Sequence, residues 1–308
     1  MDADFDIIVV GSGAGGGALA SVCASAGKNV LLVERGGLTS VNEGAAALQP
    51  SSLHDEFTTL IQKLPYDDRS VILNSSPSQL YMGGLIGGGT SVYGGALLRP
   101  HPADFSPGRY YAQRIPEEIH EWPVSYESFA PCLKAAESLY CVADVRDPRS
   151  PGAPQDTSTI ESLKSDESGV SAVGRSGIPL ARINEKLIRS ASNAGLNPYR
   201  LPLAIDASKC LRCDNCAGFV CPTGARRSSG QLVRESIERG HSLTLKTQCE
   251  GDLLERGVGG RLSGLWLKDR VTGSRVRYTA KRYVLSAGAI GSAALLLKSG
   301  FDHPMIGR

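Results

Sequence analysis

The 308-residue chain has no apolar run that reaches the roughly 18 residues of a membrane span. It has little net charge. Its 33 Lys and Arg and 31 Asp and Glu leave +2, which excludes broad electrostatic binding of nucleic acid or of a membrane surface. The start is acidic, with Asp2 and Asp4, and the apolar stretch from Phe5 is too short for a signal-peptide core. The expected location is therefore the cytoplasm. In a reducing compartment the eight cysteines are not expected to form disulfides. Hydrophobic content of 41% and charged content of 21% are ordinary for a soluble globular protein, with length for two domains or one large α/β domain.

Glycine is what the chain has in excess: 36 residues, concentrated in Gly11–Gly17 and Gly83–Gly95. The first cluster follows Phe5–Val10, an apolar β-branched run that reads as a strand buried on both faces. Gly11-Ser12-Gly13-Ala14-Gly15-Gly16 then opens a helix expected over Gly17 to Ala26. Gly27 stops it, and Asn29–Val33 reads as a second strand ending at Glu34 and Arg35. Gly11 permits the tight turn, Gly13 lets a pyrophosphate approach the backbone, and Gly16 lets the helix pack close to the sheet. The first-turn N–H groups and the helix dipole favour phosphate there. Glu34 is spaced to accept hydrogen bonds from ribose hydroxyls. Gly11, Ser12, Gly13, Ala14, Gly15, Gly16, Glu34 and Arg35 are thus dinucleotide-binding candidates. This motif alone does not choose between NAD and FAD.

The second cluster reads as a segment whose backbone runs against a flat or anionic ligand, because side chains would block that approach. Ile86, Val92, Tyr93, Leu97 and Leu98 among its glycines exclude a flexible linker. Gly87-Gly88-Gly89-Thr90-Ser91-Val92 resembles the loop that passes the flavin in the glucose–methanol–choline (GMC) family of flavoprotein oxidoreductases. The resemblance implies FAD and adds Gly88, Gly89, Thr90, Tyr93, Gly94, Gly95 and Ala96 to the cofactor-binding candidates. Tyr93 stands where the family usually has Asn or His. Relatives that hold flavin covalently use a His near this point, which neither Val92 nor Tyr93 can replace, so non-covalent FAD is expected. Trp122-Pro123-Val124-Ser125-Tyr126 resembles the family's entry to a helix in the substrate-binding part. Ser286 to Gly300 resembles the second GMC signature, a strand end turning into a helix beneath the dinucleotide, and adds Ala287 and Gly288. Ala293 stands where the family usually has Pro or Ser.

Elsewhere the pattern predicts an irregular region to about Tyr81 with a helix around Leu53 to Lys63. Further helices are expected from the Ser125 cap to about Tyr140, over Arg182 to Ala194 and over Ser229 to Gly240, with a surface loop over 144–178. Leu243–Leu245, Leu262–Lys268, Arg275–Tyr278 and Tyr283–Leu285 read as strands. They resemble the family's small meander, whose first strand passes the adenine. Cys249 either offers its backbone to the adenine or is a core residue.

Cys210, Cys213, Cys216 and Cys221 follow the spacing Cys-x2-Cys-x2-Cys-x4-Cys-Pro, one residue longer in the last gap than a ferredoxin run. They are candidate iron–sulfur ligands. Zinc is a second reading, without a nearby His, and plain thiols beside the active site a third. The long last gap and the lack of a second run favour no cluster, so no metal is expected.

The expected fold is α/β. A Rossmann-like FAD-binding domain, with parallel sheet, helices and small antiparallel meander, occupies 1–105 and 225–308. Residues 106–224 form part of an inserted substrate or cap region containing the Cys-rich loop. The resemblance implies a flavoprotein oxidoreductase acting on the CH–OH group of an alcohol or sugar, with an electron-acceptor protein as a candidate partner. Family members continue for about as much sequence again, and that half carries the His that takes the hydroxyl proton. The chain is therefore expected to be an N-terminal portion, inactive alone. None of His54, His101, His120, His241 and His303 matches that motif, so no catalytic residue is assigned. An NAD-dependent dehydrogenase and a non-catalytic nucleotide-binding subunit remain as alternatives.

Overall fold

The computed structural model describes residues 3–37, 61–63, 72–73, 76–77, 81–142, 178–196, 198–214 and 216–307. The helix expected around Leu53 to Lys63 lies outside these residues except for its end, which is a strand. The loop expected over 144–178 lies outside them except for Ile178.

In chain order the first elements are β1 (Phe5–Val10), α1 (Ala14–Ser25), β2 (Val30–Val33), β3 (Ile61–Lys63), β4 (Ile72–Leu73), β5 (Ser76–Pro77) and β6 (Tyr81–Gly83). A short 3-10 turn covers Gly88–Ser91. Next come α2 (Gly108–Tyr111), α3 (Tyr126–Leu139), α4 (Arg182–Asn193) and α5 (Ser229–Glu238). The chain ends with β7 (Leu243–Lys246), β8 (Cys249–Arg256), β9 (Leu262–Asp269), β10 (Arg275–Tyr278), β11 (Ala280–Leu285) and α6 (Gly288–Lys298). Two compact units result, residues 1–94 with 211–308 and residues 95–210. The sequence placed these divisions at 105/106 and 224/225.

In the first unit a four-stranded sheet runs in the order β11-β1-β2-β7, and every pair is parallel. Alternation along β1 and β2 sends side chains to both faces. Ile8, Val10, Leu31 and Val33 pack with Leu254, Leu265 and Leu267 of the meander and with Leu295 of α6. Val9, Val30 and Leu32 pack with Ala20 and Ala24 of α1 and Val233 of α5. Both faces are covered, which is why these strands read as unbroken apolar runs. Each fully buried Leu, Ile or Val contributes about 1.5–3 kcal/mol.

The meander is the three-stranded antiparallel sheet β10-β9-β8. Two strands assigned to it from sequence, Leu243–Leu245 and Tyr283–Leu285, instead belong to the parallel sheet, beside β2 and β1. Short apolar strands carry no local mark of their distant partners. Helix α1 starts at Ala14, three residues before the expected Gly17. Packing outweighs the low helix propensity of Gly15 and Gly16.

In the second unit the buried Phe105 contacts the rings of Trp122, Tyr126 and Phe129. Ser125 caps α3 by accepting the Ser128 N–H. The Arg99 guanidinium forks onto Glu137, and that bond holds its pKa well above its ordinary value.

Candidate functional site: the corner at the end of β1

Gly11 leaves β1 with φ +98. A Cβ there would lie 2.4 Å from the Ser286 carbonyl oxygen. At Gly16 a Cβ would lie 1.9 Å from the Gly11 carbonyl oxygen. Both positions lack room for a side chain because three backbone segments converge. Gly13 and Gly15 differ: nothing lies within 4 Å of a Cβ at either. No side chain caps α1, and its first turn holds no acid. The helix therefore presents its positive end to open space.

Four segments meet here. The buried Ser12 donates its N–H to Glu34 Oε2 at 3.0 Å and its hydroxyl to the same oxygen at 2.5 Å. Glu34 Oε1 accepts the Gly36 N–H at 2.8 Å. Ser12 Oγ accepts the Gly87 N–H at 2.9 Å, and Gly88 lies against Gly13, with its ideal Cβ 3.2 Å from the Gly13 Cα. The two glycine clusters are thus in direct contact. Ser229, at the start of α5, donates its hydroxyl to the Ser12 carbonyl at 2.9 Å and its N–H to Thr90 Oγ1 at 3.1 Å. Thr90 in turn donates to the Gly87 carbonyl at 2.6 Å. The fourth segment follows β11: Ser286 N–H donates to the Val10 carbonyl at 2.8 Å. Ala287 caps α6, and Gly288 follows with φ +77.

The remaining candidates fall as follows. Arg35 is half-buried; burial, then the charge of Arg270, pulls its guanidinium down. Cys249 is buried in the core, and its N–H donates to the Glu34 carbonyl at 3.0 Å. Burial pushes its thiol up. Tyr93 spends its hydroxyl on the Arg227 carbonyl at 2.8 Å. Gly89 and Gly94 face open space. Gly95 and Ala96 belong to the second unit, where Gly95 accepts the Ala204 N–H and Ala96 bridges Leu203.

The Cys-rich segment is stitched to three consecutive residues of the second glycine cluster. Arg226 donates to the Ser91 carbonyl, Gly218 N–H to the Val92 carbonyl, and Tyr93 to the Arg227 carbonyl. Cys213, Cys216 and Cys221 lie in the first unit and Cys210 in the second. Among the described residues no group of three or more His, Cys, Asp or Glu is placed to hold a metal ion. The described histidines serve local structure: His101 and His303 accept nearby N–H groups, while His120 and His241 bond Ile115 and Ser236. Sequence reasoning missed Ser229 and Arg226. Their only signal was the Ser228-x-x-Gln231 capping box that fixes where α5 begins.

A family model described as GMC oxidoreductase matches residues 5–308. The chain belongs to the GMC oxidoreductase family. It is 27% identical to 6'''-hydroxyparomomycin C oxidase of Streptomyces lividus over 312 residues, covering 97% of this chain and 50% of that protein. With paromamine 6'-oxidase of Streptomyces fradiae it is 26% identical over 307 residues, again with 97% and 50% covered. The chain thus spans about half the length of these curated relatives. The crystal structure of pyridoxine 4-oxidase from Mesorbium loti superposes with a TM-score of 0.59 at 18% identity, covering 96% of this chain and 52% of that one. That likeness speaks to the fold. The cofactor of GMC oxidoreductases is FAD, and the corner fits such a group: open space at Gly13 and Gly15, an uncapped helix start, and a carboxylate at the end of β2. No helix among the described residues is long and apolar enough to cross a membrane.

Proposed function

We propose that this chain is the FAD-binding portion of a GMC oxidoreductase that oxidises the CH–OH group of an alcohol or sugar. The observation that carries the reading is the convergence of four segments on the end of β1 around glycines whose Cβ positions are open. Bound FAD supplies the acceptor for a hydride from the carbon bearing the hydroxyl. The chain's own residues bind and orient. Gly11, Ser12, Gly13, Ala14, Gly15 and Gly16 hold the pyrophosphate against the start of α1, with Ala287 and Gly288 beneath it. Glu34 and Arg35 take the ribose side, and the backbone at Cys249 takes the adenine. Gly88, Gly89, Thr90, Tyr93 and Gly94 line the flavin side. Two relatives are named as oxidases of 6'''-hydroxyparomomycin C and paromamine, which supports a hydroxyl-bearing sugar as donor. Electrons then pass to an acceptor, and a partner protein is one form it takes.

Binding is non-covalent in this reading, since Val92 and Tyr93 offer no imidazole at the flavin loop. Acid precipitation of the purified protein, supplied with FAD, is expected to leave all flavin in the supernatant. Flavin retained in the pellet contradicts non-covalent binding. Tight NAD binding with no response to FAD contradicts the reading as a whole.

A further inference from the structure

Arg226 is 2% exposed, and a guanidinium keeps its charge in a protein interior. Its Nη2 donates to the carbonyls of Ser91 and Phe219, at 2.6 and 2.5 Å. Its Nε and Nη1 have no partner. No carboxylate or thiol bonds the guanidinium among the described residues. A buried cation in that state is costly unless an anion answers it.

The two carbonyls belong to two segments. Ser91 ends the 3-10 turn of the second glycine cluster, and Phe219 lies in the Cys-rich segment. The Arg226 Cζ sits over the Tyr93 ring, 5.7 Å from its centroid, close enough for the ring face to attract the cation. The Tyr93 hydroxyl is fixed on the Arg227 carbonyl at 2.8 Å, and the Val92 carbonyl accepts the Gly218 N–H at 2.7 Å. Residues 91, 92 and 93 are thus each held by the 218–227 segment, two of them by the one guanidinium. Gly89 and Gly94, which flank them in the chain, face open space. The stretch is pinned and keeps room beside it for a ligand. All of these residues lie in the first unit.

We propose, on the reading of the chain as an FAD-binding portion, that Arg226 is a positioning residue for the flavin. It pins residues 91–93 from the protein side, and its uncompensated charge is answered by the negative charge that bound FAD gains on reduction. Uptake of a hydride brings one proton and two electrons, so the cofactor gains one unit of negative charge. A positive charge fixed in the dry interior behind the loop favours that form over the oxidised one, because little water screens it there.

The test loads the full chain with FAD and measures the flavin midpoint potential at pH 7 by equilibration with a reference dye. Arg226→Met removes the charge at similar length. It is expected to lose about tenfold of the preference for reduced over oxidised flavin, a fall of about 30 mV for a two-electron couple. Arg226→Lys keeps the charge and is expected to stay within about threefold of the parent, about 15 mV. If Arg226→Met does not fold, Arg226→Gln decides: it keeps an N–H for one carbonyl, lacks the charge, and is expected to show the same fall. An unchanged potential in a folded neutral variant overturns the proposal. So does a fall in Arg226→Lys as large as in the neutral variant, since loosening of the loop alone would lower both alike. Either result, with FAD bound, overturns this inference alone. A parent chain that binds no FAD overturns the reading of the chain and the inference with it.

Discussion

Glu34 and Arg226 are both buried charges in the same unit, at 6% and 2% exposure, and the fold treats them differently. Glu34 sits at the end of a central strand and accepts three hydrogen bonds, two from Ser12 and one from Gly36. Arg226 sits on a loop, with one nitrogen bonded to two carbonyls and two nitrogens bonded to nothing. Asp252, the third buried charge among the described residues, is answered by both Lys298 and Arg275. A charge on a strand or packed beside a helix meets regularly spaced donors. A charge brought in by a loop meets whatever lies beside it, and here that is two backbone carbonyls and the face of the Tyr93 ring.

The largest expected effect comes from the corner itself. Gly16→Val would drive a side chain into the Gly11 carbonyl. It is expected to cost about 3 kcal/mol or more in urea unfolding and to abolish FAD binding. Parent-like stability would mean the corner is looser than the contacts indicate.

Asp252→Asn should cost about 2 kcal/mol at neutral pH by leaving two cations without their carboxylate. Burial pushes the Asp252 carboxyl up, but the Lys298 bond and charge and the Arg275 charge outweigh it and leave it below its ordinary value. Its contribution is thus present above the unfolded carboxylate range and is lost as pH falls through the lowered folded value. The gap between parent and variant should close as pH drops from about 5 toward 2. Unfolding curves that keep a constant gap would remove Asp252 from the compensated group.

Glu34→Ala is expected to weaken FAD binding by about 1.5–3 kcal/mol in a fluorescence titration. Unchanged affinity in a folded variant would confine Glu34 to its bonds with Ser12 and Gly36.

The end of β1 was legible because everything it needs is local: an apolar run, glycines at fixed offsets, a helix, and an acid at the next strand's end. The Ser125 cap and the start of α4 at Arg182 were legible for the same reason. The places of β7 and β11 in the parallel sheet were not. Their register, Val30 with Leu243 and Phe5 with Ala280, joins residues more than two hundred apart in the chain. The attachment of the Cys-rich loop was hidden too. Arg226 and Gly218 both reach backbone carbonyls, which every residue type offers.

The most direct test of the account is Gly13→Ala. Gly13 has φ -59 and ψ -170, a conformation open to alanine, and nothing lies within 4 Å of the added methyl. That space is assigned to the FAD pyrophosphate. The account predicts an unfolding free energy within about 1 kcal/mol of the parent and an FAD affinity at least about tenfold weaker, a loss of about 1.4 kcal/mol. Parent-like FAD affinity in a stably folded Gly13→Ala protein would contradict it.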